Sequence, residues 1–143
     1  MADEFEILFP EREVTLSTGE RISVNEYGMR DGLRVDAFAG PMIADLHALL
    51  SQKLDDNTVL IELNAVFGRH EDIVMRAIAI ATDRPVDWVD ALSDPDGLKL
   101  RMTWWGVNSS FFTNRLVQIG QAKLSHLLKS LLGSDDMAAA GKN

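Results

Sequence analysis

The side chains able to do chemistry are few and scattered. The chain holds three histidines, His47, His70 and His126, and no cysteine. None of the histidines stands at ligand spacing from another, so no zinc-type set forms. The cluster His70-Glu71-Asp72 could move protons, but acids at the start of a helix are already accounted for by the positive end of the helix dipole. Asp87 and Asp90 flank Trp88 and could hold a cation. A solvated helix face explains them as well. Asp94-Pro95-Asp96-Gly97 has the opening of a calcium loop, yet no acid follows until Asp135, so the later ligands are missing. There is no phosphate-cradling glycine loop and no G-x-S-x-G elbow. The sequence therefore reads as non-enzymatic, with no metal and no cofactor.

What remains is packing chemistry. Residues Leu98 to Leu132 contain Trp104, Trp105, Phe111 and Phe112, five basic residues (Lys99, Arg101, Arg115, Lys123, Lys129) and no acid, in a chain of formal net charge -8. At 3.6 residues per turn, Leu98, Met102, Trp105, Phe112 and Leu116 form one stripe, and Trp104, Val107 and Phe111 a neighbouring one. Asn108 falls between them. A buried amide without partners costs about 1–3 kcal/mol, so Asn108 is expected to bond a packed neighbour and fix the register of a helix crossing. Ligand recognition by this amide lacks the converging polar groups that a site needs. The candidate partner-binding residues are Trp104, Trp105, Asn108, Phe111, Phe112 and Arg115, with Leu124 and Leu128 farther on.

Charge is distributed unevenly. Residues 1–96 carry 20 acidic and 8 basic side chains, whereas 97–134 carry 5 basic and none acidic. Such asymmetry predicts that the basic stretch faces the acidic body of its own chain or of another copy, ahead of an external anion. An acidic chain lacks the broad basic surface that nucleic acid demands. No apolar run approaches the roughly 18 residues of a membrane span. The acidic MADEFEILFPERE is unlike a signal peptide, and the absence of cysteine suits a reducing, cytoplasmic setting.

The elements that must position these residues can be read in order. Glu13–Leu16 and Arg21–Val24 alternate polar and apolar around the turn residues Ser17–Glu20, which predicts a β-hairpin within 5–25 with Val14, Leu16, Ile22 and Val24 on its buried face. Phe5, Ile7 and Phe9 could add a third strand. Residues 28–38 fit strand or short helix, and the helix is preferred. Gly40-Pro41 reads as a helix start, followed by Met42, Ile43, Leu46, Leu49 and Leu50 at helical spacing. Asp55-Asp56-Asn57 can cap a helix near 58–68 with Leu60, Leu63 and Phe67 inward. Ile73 to Ala81 forms a small-faced core helix, and Asp83-Arg84-Pro85 opens a short one. Ser93-Asp94-Pro95-Asp96 starts the aromatic helix, expected to run to about Gly120 with a separate segment over 121–132. This is an α+β chain, an N-terminal hairpin of two or three strands followed by a mainly α-helical bundle. It makes one domain over 1–132 (hairpin 5–25, helical body 28–119, C-terminal helix 121–132), with a mobile tail over 133–143.

The alanine-rich Ala77–Thr82, the turn Trp88-Val89-Asp90-Ala91-Leu92 and the core Val107-Asn108-Ser109-Ser110-Phe111-Phe112 resemble tail assembly chaperones of tailed bacteriophages and prophages over about residues 12–117. The resemblance implies a protein of the bacterial host cytoplasm. It would bind an aggregation-prone tape measure protein, or another phage tail protein, during tail morphogenesis, with homo-oligomerisation possible. Two other readings stand beside it. One is a tail completion or tube-associated virion protein joined by strand addition along the hairpin. The other is a small metal-dependent enzyme or regulator built on Asp87, Asp90 or His70.

Overall fold

The computed structural model describes residues 12–141, with side chains described for 12–132. Two strands, β1 (Glu13–Thr15) and β2 (Arg21–Ser23), precede five helices: α1 (Met29–Leu50), α2 (Asp56–Arg69), α3 (Glu71–Thr82), α4 (Val86–Asp90) and α5 (Asp94–Gly141). The chain is α+β, a hairpin leading into a mainly helical body. The suggested strand at Phe5–Phe9 lies outside the described residues. The expected tail over 133–143 lies outside the described side chains, and helical backbone continues to Gly141.

The hairpin is antiparallel, with Val14 opposite Ile22. Its turn closes through Gly19, whose φ of +90° suits a residue without a Cβ. Val14, Leu16, Ile22 and Val24 are all buried, as the alternation predicts.

Helix α1 corrects the expected start at Gly40-Pro41. One helix begins at Met29 and carries Pro41 in its interior. Gly32, Val35, Ala39, Met42, Ile43, Leu46 and Leu49 form an unbroken buried stripe through the proline. Pro41 and Ala37 both lie on the exposed side, where water can serve the Ala37 carbonyl that proline leaves without a donor. Leu50, expected inward, is exposed.

Helix α2 is capped as expected, the Asp55 carboxylate accepting from the Thr58 N–H at 2.7 Å. Its inward face differs from expectation. Leu60 is exposed and the buried residues are Val66 and Phe67, because only the C-terminal half of α2 lies over the aromatic helix. Helix α3 buries Val74, Ala77, Ile78, Ala79, Ala81 and Thr82, which makes it the most enclosed element. It ends at Asp83 in the left-handed conformation, φ 55°. The core lies among the buried hairpin face, α1, α3 and the first half of α5.

The expected break near Gly120 is absent: α5 is one helix from Asp94 to Gly141. A glycine in a helix interior costs about 1 kcal/mol relative to alanine, which is too little to end a helix flanked on both sides by good formers.

Candidate interaction surface

The first half of α5 is a core element. Trp104, Asn108 and Phe112 have no significant exposure, Phe111 and Val107 are buried, and Trp105 is half-buried. Their rings interlock edge to face: Trp104 meets Phe112 at 5.6 Å and Phe67 at 5.7 Å, and Phe111 meets Phe112 at 5.0 Å. The buried stripe is centred on Leu100, Trp104, Asn108 and Phe111. Leu98 and Met102, expected on a buried stripe, are exposed. Four of the candidate partner-binding residues, Trp104, Asn108, Phe111 and Phe112, therefore belong to the interior of this chain.

Asn108 does bond a packed neighbour, but at a connection and not at a helix crossing. Its Oδ1 accepts from the Tyr27 N–H at 3.0 Å, and its Nδ2 donates to the Asn25 carbonyl at 3.1 Å. The same connection is held from α3, since the Asn25 N–H donates to the Ala81 carbonyl at 2.8 Å. The Tyr27 hydroxyl donates to the Ala77 carbonyl and accepts from Trp104 Nε1 at 2.9 Å. Burial drives the Tyr27 hydroxyl far above the ordinary tyrosine range. Residues 25–27 thus clamp β2, α1, α3 and α5 together.

Arg115 is also used within the chain. Its Nε and Nη2 each lie 3.0 Å from a different oxygen of Asp36, and its guanidinium sits 3.5 Å from the Phe111 ring centre. Arg101 donates to Asn64 at 3.1 Å. Part of the acid-free stretch thus faces this chain's own α1 and α2.

Asp96, in the first turn of α5, reaches across to the hairpin. Its carboxylate accepts from the Ser17 N–H at 2.9 Å and the Ser17 hydroxyl at 2.7 Å, which fastens the hairpin turn to the start of α5. These bonds, the hydroxyl first, hold Asp96 below the ordinary carboxylate range. His70 likewise caps no helix with its side chain. Its Nε2 lies 2.6 Å from Asp45 Oδ2, and this contact chiefly lowers Asp45. Asp87 and Asp90 are exposed. Among the described residues, no group of three or more His, Cys, Asp or Glu is placed to hold a metal ion, and no helix is long and apolar enough to cross a membrane.

Two surface features stand out among the described residues. One is an open cleft of about 890 Å³ between α1, α3 and α4, lined by Arg34, Phe38, Arg76, Ile80 and Arg84. Its arginines are occupied: Arg34 pairs with Asp31, Arg84 with Glu20, and Arg76 stacks on Phe38. The other is the second half of α5. Among the described side chains of this helix, Ile119 is the last packed against the core, and every residue from Gly120 to Leu132 is exposed. Leu124, Leu127, Leu128, Leu131 and Leu132 are each more than half exposed, as is Val117.

Helical geometry fixes where these leucines point. At about 100° per residue, Leu124 lies about 160° around the helix from Asn108, and Leu128 about 160° from Phe112. The apolar face of α5 therefore changes sides along its length. Its first half faces the body and its second half faces away from it, so along this continuous helix the leucines do not lie on the chain's own body. Of the candidate partner-binding residues, Leu124 and Leu128 are the two that lie on this outward face. Val117, Leu127, Leu131 and Leu132 complete it. A helical wheel drawn through Gly120 without a break would have found all six.

No curated protein and no solved structure matches the chain. Residues 4–140 match a family model described as a family of unknown function, DUF6631, and with nearly its whole length covered the chain belongs to that family.

Proposed function

We propose that this protein is a non-enzymatic tail assembly chaperone of the phage or prophage type, which shields a helical, aggregation-prone tape measure protein. The observation that carries the proposal is the leucine face of α5, exposed and turned away from the body on a helix that continues without a break. An amphipathic helix of this kind docks its apolar face into a groove between partner helices. Leu127 and Leu132 widen the face beyond a two-residue seam, which suits such a groove. The acidic body, with 20 acidic and 8 basic side chains over residues 1–96, keeps the complex dispersed by repulsion between complexes. The resemblance of Trp88–Leu92 and Val107–Phe112 to tail assembly chaperones supplies the partner class, and the bacterial cytoplasm is where that partner is made.

Co-expression with the tape measure protein tests this. The wild-type chain should bring it into the soluble fraction as a complex. Leu124→Glu with Leu128→Glu should abolish the effect while leaving the body folded. No complex and no gain in solubility with the wild-type chain overturns the proposal.

A further inference from the structure

We propose that the outward half of α5 pairs with the same segment of a second copy of this chain, antiparallel, about a two-fold axis between Leu127 and Leu128. The inference goes beyond the chaperone reading and does not depend on the client's identity: it gives the leucine face its occupant when no client is bound, and a client that takes this face displaces the second copy.

The first argument is the sequence of the exposed segment. Leu124-Ser125-His126-Leu127-Leu128-Lys129-Ser130-Leu131 reads the same in both directions by residue type, with His126 and Lys129 exchanging as the two basic members. A two-fold interface places the same patch on both copies and demands self-complementarity. In an antiparallel pair centred between Leu127 and Leu128, Leu124 comes level with Leu131 of the second copy, and Leu127 with Leu128. Every leucine of the motif then meets a leucine, and every serine lies level with a serine.

The second argument is angular. Leu124 and Leu131 lie about 20° apart on the helix, and Leu127 and Leu128 about 50° to either side of their midline. The four make a central ridge with two flanks, all exposed. His126 and Lys129 fall about 150° from the midline, on the back of the helix, so pairing does not press like charges together across the seam. Lys123 stands at the rim.

The third argument is charge at long range, and it selects the antiparallel arrangement. Each body carries the acidic excess of residues 1–96, 20 acidic against 8 basic. A parallel pair would bring the two roots at Ile119 within about 8–10 Å, the spacing of packed helices. The antiparallel pair holds them about 25 Å apart along the helix, at 1.5 Å per residue. Screening in physiological salt acts over about 8 Å, so repulsion between the bodies is large in the first arrangement and small in the second.

Sedimentation equilibrium of the purified full chain, with no client present, tests the pairing. The expected mass is that of two copies, falling to one copy for Leu124→Glu with Leu128→Glu at an unchanged urea midpoint of the body. Orientation is read by cross-linking, because the chain has no native cysteine. A mixture of Leu124→Cys and Leu131→Cys chains should join through a short bis-maleimide, while Leu124→Cys alone should not. A single-copy mass throughout, a mass above two copies, a dimer indifferent to the glutamates, or self-joining of Leu124→Cys overturns the inference. A single-copy protein that still solubilises a tape measure protein sinks the pairing and spares the chaperone reading. A dimer that solubilises none does the reverse.

Discussion

Asn108 uses both ends of its amide on the backbone of one short connection, and nothing else in the apolar arc could replace it. Removing it leaves the Tyr27 N–H and the Asn25 carbonyl without these partners. Asn108→Ala should therefore lower stability by about 2–4 kcal/mol, two unmet backbone groups together with a small cavity. The urea midpoint measures this, and a loss under about 1 kcal/mol would mean that other groups serve the connection. That a lone amide inside a ring of aromatics must be bonded is legible in the sequence. Its partner is not. Only the return of α5, some 80 residues later, brings Asn108 to the Tyr27 N–H. Arg115 is similar: its need for an anion is legible, but the choice of Asp36 is set by how α1 lies against α5.

At the scale of elements, the local punctuation misled where the apolar period continued beneath it. Gly40-Pro41 suggests a helix start and Gly120 a break, yet both lie within single helices. The hairpin, the Asp55 cap and the α3 core face were legible because turn chemistry and period agreed there. The glycines of the two long helices give tests of opposite sign. Gly120 has open space where a Cβ would stand, so Gly120→Ala should strengthen the α5 arm by about 1 kcal/mol, seen as greater helicity at raised temperature by circular dichroism. No gain would restore the break. Gly32 is different, since a Cβ there would lie 3.1 Å from a Phe111 ring carbon. That ring is braced edge to face by Tyr27 and Phe112 and covered by Arg115, so it cannot retreat. Gly32→Ala should destabilise the protein in urea despite the gain of about 1 kcal/mol in helix propensity.

Across the whole molecule, three of the carboxylates that tie elements to one another or to their own start sit below the ordinary range: Asp45 through His70, Asp55 through the Thr58 N–H, and Asp96 through Ser17. A depressed carboxylate stabilises the fold in full above its unfolded value, near about 3.9, and loses that contribution as pH falls through its folded value. The difference in stability between the wild type and Asp96→Asn should thus be constant from neutral pH to about pH 5 and shrink toward zero below about pH 4. Urea unfolding at a series of pH values measures it, and a difference that grows in acid would contradict the role of Asp96. The two-sided α5 has one more consequence, an optical one. Trp88, Trp104, Trp105 and Tyr27 all belong to the body, and no aromatic residue follows Phe112. Intrinsic fluorescence therefore watches the body alone and is blind to whatever settles on the arm. A change in emission when a partner without tryptophan or tyrosine settles on the arm alone therefore reports a rearrangement inside the body, carried there through a helix that itself emits no signal beyond its midpoint.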